Sequence, residues 1–336
     1  MYENKPKLHK REKDPNRGHL HMIAIDVTNK CNMNCEHCYA STFKHIPEVE
    51  INEFKTFCDE AYQLGASHYI LQGGEAILDF ERLKKLIPLL YPQESYINVM
   101  SNGWEMDIEM IRKLKNLDVD KIGLSLDSGF AKEHDANRMP GAYDRVITAI
   151  KNIKSEGLHS SISTVVTRGS LQNANFKKIL EIASKLDVRV DVQVAMPVGK
   201  WEGKKDIRIT PDEAKFLKNI YISKGLLPSG RRHIGRDIYK FSEKDRCIAG
   251  KYFMAVTASG EILPCNFCQY TLGNIKDTSL IQARQDLMTS KWFQGTHPRC
   301  LLGEDDDFFD QYVTPNIAKE KPLDAYELFS LERTND

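Results

Sequence analysis

The sequence predicts an α/β protein, a partial (β/α)6 TIM-like barrel followed by a small cysteine-rich α+β domain. Strand-sized apolar runs alternate with helix-sized amphipathic ones from residue 21 to residue 195, the pattern of parallel strands joined by right-handed crossovers. Polar, glycine-bearing segments follow several of the predicted strands, at the end where a barrel places its site. Eight cysteines fall at 31, 35, 38, 58, 247, 265, 268 and 300, in two groups with a long cysteine-free stretch between them.

HMIAIDV (21–27) is the first predicted strand, and Ile51, Phe54, Cys58, Ala61 and Tyr62 then recur at helical spacing. Cys58 falls on that apolar stripe, where a free thiol behaves as a small buried hydrophobe. Predicted strands at 67–72, 96–101, 121–127 and 161–167 are each followed by a predicted helix, at 79–90, 106–116, 142–156 and 174–185, and 189–195 closes the series. Six units leave the wall incomplete and open on one side. A further helix starts at Pro211 with Thr210 as its N-cap. GLLPSGRRHIGRD (225–237) reads as a hinge, YFMAVTASGEILPC as a hairpin, 278–290 as a short helix and GEDDDFFD as a solvated surface loop. The implied division is a polar segment at 1–20, the barrel at 21–230, the cysteine-rich domain at 231–310 and a tail at 311–336.

Lys and Arg together number 47, as do Asp and Glu, so no broad basic footprint favours a nucleic-acid partner. The first twenty residues are polar, and no apolar run approaches the ~20 residues of a membrane span. The expectation is a cytoplasmic protein, and a reducing compartment turns clustered cysteines toward metal binding or catalysis.

Cys31, Cys35 and Cys38 have the spacing C-x3-C-x2-C directly after the first strand. Three thiolates can ligate three irons of a cubane and leave the fourth iron open. A zinc site completed by His37 or His45 is the rival reading. Cys247, Cys265, Cys268 and Cys300 suffice to close a second cluster once a hairpin and helix fold back on it.

The CNMNCEHC segment, with Tyr39 after it, resembles the loop that defines the radical S-adenosylmethionine (SAM) superfamily. The resemblance implies a [4Fe–4S] cluster on Cys31, Cys35 and Cys38 that chelates SAM and cleaves it to a 5'-deoxyadenosyl radical. It also implies cofactor contacts from Tyr39, from Gly73, Gly74 and Glu75, from Ser101 and Asn102 in MSNG, and from Ser125 and Asp127 in SLDSG. Ala76 stands where the family usually has proline. Arg168, after the fifth strand, is a candidate for the cofactor carboxylate or a substrate anion. The second group is similar to the SPASM domain and its shortened form, twitch, and implies one auxiliary [4Fe–4S] cluster. Full ligation by four cysteines is one option. Ligation by Cys247, Cys265 and Cys300 is the other, with Cys268 freed as a hydrogen donor.

The expected enzyme abstracts hydrogen from a small polar substrate, a sugar or cyclitol alcohol, with dehydrogenation or epimerisation as outcome. The alternative is maturation of a ribosomally made peptide, although only thirty residues precede Cys31, too few for a peptide-clasping domain. A non-catalytic iron–sulfur sensor or scaffold is the third reading. The expected partners are the substrate and a one-electron donor such as flavodoxin or ferredoxin, with no membrane.

Overall fold

The computed structural model describes residues 5–14, 18–43, 47–223, 234–235 and 247–333. The proposed hinge at 225–237 and its flanking domain boundary fall largely outside the described residues, as does His45.

The predicted barrel units are present. Strands β1 (Met22–Thr28), β2 (His68–Gly73), β3 (Tyr96–Ser101), β4 (Lys121–Ser125), β5 (His159–Val166) and β6 (Arg189–Val194) pair in parallel in that order. Helices α2 (Phe54–Gln63), α3 (Phe80–Leu86), α4 (Ile108–Asn116), α6 (Ala142–Ser155) and α7 (Ala174–Leu186) connect them, and Cys58 is buried in the α2 core face. A seven-residue helix that the periodicity does not reveal, α5 (Ala131–Asn137), stands between β4 and α6. Thr210 and Glu213 bond reciprocally at the start of α8 (Pro211–Ser223), as its capping role requires.

Alternation along the strands separates two environments. Ile23, Ile25, Ile97, Val99, Ile122, Leu124 and Val190 are fully buried beneath the helices. Lys121 and Asp191, on strands two apart, meet at 2.6 Å and therefore share the concave inner face. Asn98 lies beside Lys121 in the register, so a polar stripe lines the lumen.

The structure adds three features that the periodicity does not carry. Among the described residues the main sheet has nine strands, because β7 (Ile234–Gly235) continues it beyond β6 and the hairpin β8 (Phe253–Val256)–β9 (Ile262–Leu263) continues it beyond β1. All four residues of β8 are buried, and β8 runs parallel to β1, which ties the cysteine-rich segment into the barrel wall. Helix α1 (Pro6–Glu12) forms within the polar N-terminal segment: Leu8 is fully buried, and Lys5 Nζ reaches Ser95 O and Asp120 Oδ2. Those partners lie just before β3 and β4, so α1 straps the barrel end opposite the cysteine loop.

The acidic segment is not a solvated loop. Phe308 and Phe309 are buried, and Arg208 pairs with Asp306 at 2.8 Å. The tail continues into β11 (Leu323–Asp324), which pairs with β10 (Tyr270–Thr271), and into α11 (Ala325–Phe329), whose Phe329 packs on Tyr270, Phe293 and Tyr312.

Candidate functional site

The loop after β1 carries the first cysteines. Cys31 is exposed, while Cys35 and Cys38 are half-buried, and all three are free thiols. Thr28 Oγ1 and Asn29 N both donate to Glu48 Oε1, at 2.6 and 2.7 Å, which fixes the start of the loop. Glu75 N donates to Lys30 O at 2.7 Å. A Cβ on Gly74 would stand 2.1 Å from that carbonyl, and one on Gly73 (φ +93°) would stand 2.8 Å from the Asp26 side chain. The two glycines thus permit a close backbone approach, and the backbone they admit is that of the cysteine loop. Farther along, Asn102 Nδ2 donates to Asn32 Oδ1 at 2.8 Å and Lys200 Nζ donates to Asn34 O at 3.0 Å.

Glu75 is 2% exposed. Its Oε2 accepts from Asn102 N at 2.7 Å, and its Oε1 is buried with no hydrogen-bond partner. Burial pushes the carboxyl up to about 7 against the lowering effect of Asn102 and Ser101. An orphaned buried carboxylate oxygen is the partner an ammonium requires, so the site fits the amino group of SAM. Ser101 Oγ accepts from Gly103 N at 3.0 Å. Asn102 therefore acts on Glu75 and the cysteine loop, while the Ser101 hydroxyl holds the turn into Gly103.

Asp127 faces a cleft of about 440 Å³ whose lining includes Glu36, His37, Asn137, Val165 and Trp201. Burial alone would raise its pKa, but Arg138 outweighs that and holds the carboxyl well below the usual range. Arg138 donates from Nε to Oδ2 at 2.7 Å and from Nη2 to Oδ1 at 3.0 Å, and Asn137 Nδ2 adds a bond of 2.7 Å. Both Asp127 oxygens are thus already engaged. His37 lies 3.8 Å from Asp127 and packs against Trp201. Ser125 is half-buried at the end of β4.

Arg168 does not join this group: it is exposed, and its Nε donates to Arg208 O at 3.0 Å. Arg138 is the arginine beside the cleft, and the sequence reading missed it with Asn137. The available signal was His134 and Arg138 at i, i+4 directly after SLDSG, one turn of a helix. Tyr39 Oη donates to Asp26 Oδ1 at 2.7 Å beneath the loop and accepts from Gln72 Nε2 at 2.9 Å.

In the C-terminal part, Cys247, Cys265, Cys268 and Cys300 are all buried, and none of them is in a disulfide. Burial pushes the Cys268 thiol well up, and Cys265, Cys247 and Cys300 add to the effect, so the four are mutual electrostatic neighbours. Cys268 N donates to Cys265 O at 2.9 Å in a tight turn. Among the described residues, no three His, Cys, Asp or Glu side chains close on a point that would hold a single metal ion. Thiols gathered in low dielectric need cationic charge among them to ionise, and an iron cluster supplies it.

Two family models match. Residues 25–185 match the Radical SAM superfamily, and residues 247–321 match the SPASM iron–sulfur cluster-binding domain. An AdoMet-dependent heme synthase of Methanosarcina barkeri is 26% identical, over 76% of this chain and 79% of that protein. Mycofactocin maturase MftC of Mycobacterium tuberculosis is 24% identical, over 90% of this chain and 86% of that protein. SuiB of Streptococcus suis, solved with its precursor peptide SuiA, shares the fold with a TM-score of 0.64 at 15% identity, over 86% of this chain and 68% of that one. No described helix is long and apolar enough to cross a membrane. SAM, a [4Fe–4S] cluster and auxiliary iron–sulfur in the C-terminal part are the cofactors. The chain belongs to the radical SAM superfamily and carries a SPASM-type iron–sulfur domain.

Proposed function

We propose that this enzyme is a peptide maturase that oxidises its substrate by removing hydrogen. The observation that carries the reading is the similarity to mycofactocin maturase, which spans 90% of this chain. It ranks the peptide above the sugar or cyclitol expected from the sequence. Cys31, Cys35 and Cys38 hold the SAM-binding cluster, and Cys247, Cys265, Cys268 and Cys300 close one auxiliary cluster. When bound and reduced, the first cluster and SAM would supply abstraction of one hydrogen atom, and the auxiliary cluster would supply the acceptor for the remaining electron as the second hydrogen leaves as a proton. Glu75 takes the SAM ammonium, Arg138 fixes Asp127 at the cleft, and Gly74 lets the two strand ends meet. The burial of Cys268 among three other thiols favours the ligand role, and with it oxidation over epimerisation. A flavodoxin or ferredoxin delivers the electron.

The heme synthase likeness supports a second substrate class, an iron porphyrin. Reconstituted enzyme, SAM and reductant are incubated with a short peptide encoded beside the gene, and in parallel with an iron porphyrin. Mass spectrometry should show a peptide lighter by two hydrogens. Turnover of the porphyrin alone would reverse the assignment, and solvent deuterium entering a peptide of unchanged composition would mean epimerisation.

A further inference from the structure

One side chain joins the neighbourhoods of the two cysteine groups. Gln269 directly follows Cys268, and Tyr39 directly follows Cys38. Gln269 Nε2 donates to the Tyr39 carbonyl at 2.7 Å and lies 3.2 Å from Thr42 Oγ1. The residue is 3% exposed, and its own carbonyl accepts from Leu323 N at 2.9 Å, so the β10–β11 pairing aims its amide at the loop. Phe267, on the other side of Cys268, meets the Tyr39 ring edge-on at 5.3 Å. Tyr39 is thereby gripped at its hydroxyl by the barrel and at its backbone by the C-terminal domain.

We propose that Gln269 is a positioning residue that couples the auxiliary cysteine group to the Cys38 loop, so that filling the C-terminal cluster site strengthens SAM binding at the first. The inference rests on the ligand assignments above. A cluster held by Cys265 and Cys268 fixes the turn that carries Gln269, and the ordering of Tyr39 is then met before SAM arrives. The coupling is reciprocal, so SAM also improves iron retention at the second site.

The test uses the full chain, reconstituted without oxygen. Gln269→Met keeps the volume and removes the donor. It should retain wild-type iron while weakening SAM binding roughly three- to tenfold, the range of one buried hydrogen bond, and should alter the SAM-induced change in the electron paramagnetic resonance spectrum of the first cluster. Wild-type affinity with a wild-type spectrum would overturn the proposal. If Gln269→Met loads less iron, Thr42→Val removes the hydroxyl on the loop side without touching the C-terminal domain. The same two readouts then decide, and their lack of change also overturns it. An error in the ligand assignment shows separately, as wild-type iron content in Cys31→Ala/Cys35→Ala/Cys38→Ala or in Cys265→Ala/Cys268→Ala.

Discussion

Glu75 receives the backbone N–H of Asn102 on Oε2 at 2.7 Å and holds Oε1 buried without a donor. The polarity of that second oxygen is costly unless a ligand satisfies it. Glu75→Gln preserves the shape and an oxygen for Asn102 but removes the charge. SAM affinity should fall by about tenfold or more, the scale of a hydrogen bond to a charged group, with iron content unchanged. Equilibrium dialysis of SAM against the loaded protein checks this, and undiminished binding would remove Glu75 from the site.

The Asp127–Arg138 pair gives a stability prediction. Both groups are buried and bidentate. Arg138→Met strands a buried carboxylate and should cost about 3–5 kcal/mol, whereas removal of both charges in Asp127→Asn/Arg138→Met should cost less than that single change. Denaturant unfolding of the wild type, Asp127→Asn, Arg138→Met and the double variant closes the cycle. A double variant as unstable as the sum of the singles would show that the pair is not coupled.

Much of the fold was legible because strand-sized apolar runs and the helical stripe that includes Phe54, Cys58 and Ala61 are local patterns. The parallel pairing of β8 with β1 joins residues over two hundred positions apart and leaves no local mark. Helix α5 was missed because only His134 in it is buried, so no apolar stripe announces it. In the acidic segment, composition misled: Phe308 and Phe309 turn inward while Asp306 and Asp310 pair outward with Arg208 and Lys205. At the site, the cysteine run and the glycine–glycine–glutamate run are local patterns after β1 and β2, and the structure brings the two segments together where Glu75 N donates to Lys30 O. The bidentate use of Asp127 and the engagement of Asn102 with Asn32 depend on side-chain directions that spacing does not encode.

The lumen pair predicts a pH response. Asp191 is buried between Lys121 and Arg189. Burial raises its pKa, but the two cations outweigh that and hold the carboxyl well below its ordinary 3.8. A lowered folded-state pKa means the contribution is complete above the unfolded value and is lost as pH falls through the folded one. Stability should therefore decline on acidification below about pH 4, and Asp191→Asn should flatten that decline while lowering stability at neutral pH. Melting curves from pH 3 to 7 measure both, and a parallel offset at every pH would refute the assignment.

Gly199 offers the most local test of how the first cysteine group is held. Its φ is +61°, and a Cβ there would stand 2.0 Å from Cys38 O and 2.8 Å from Tyr39 Cα. Backbone cannot swing aside as the end of a flexible side chain can, so Gly199→Ala must displace either the loop after β6 or the third cysteine. The next residue, Lys200, donates its backbone N–H to that same Cys38 carbonyl at 3.4 Å and its ammonium to Asn34 O. A shift of the β6 loop therefore carries the cysteine loop with it whichever side yields. The C-terminal thiols lie outside this contact, so the expected result is selective: iron falls from about eight per chain toward about four, SAM binding is lost and the auxiliary cluster spectrum persists. Full iron with intact SAM binding in Gly199→Ala would mean that the cysteine loop is set by β1 and β2 alone.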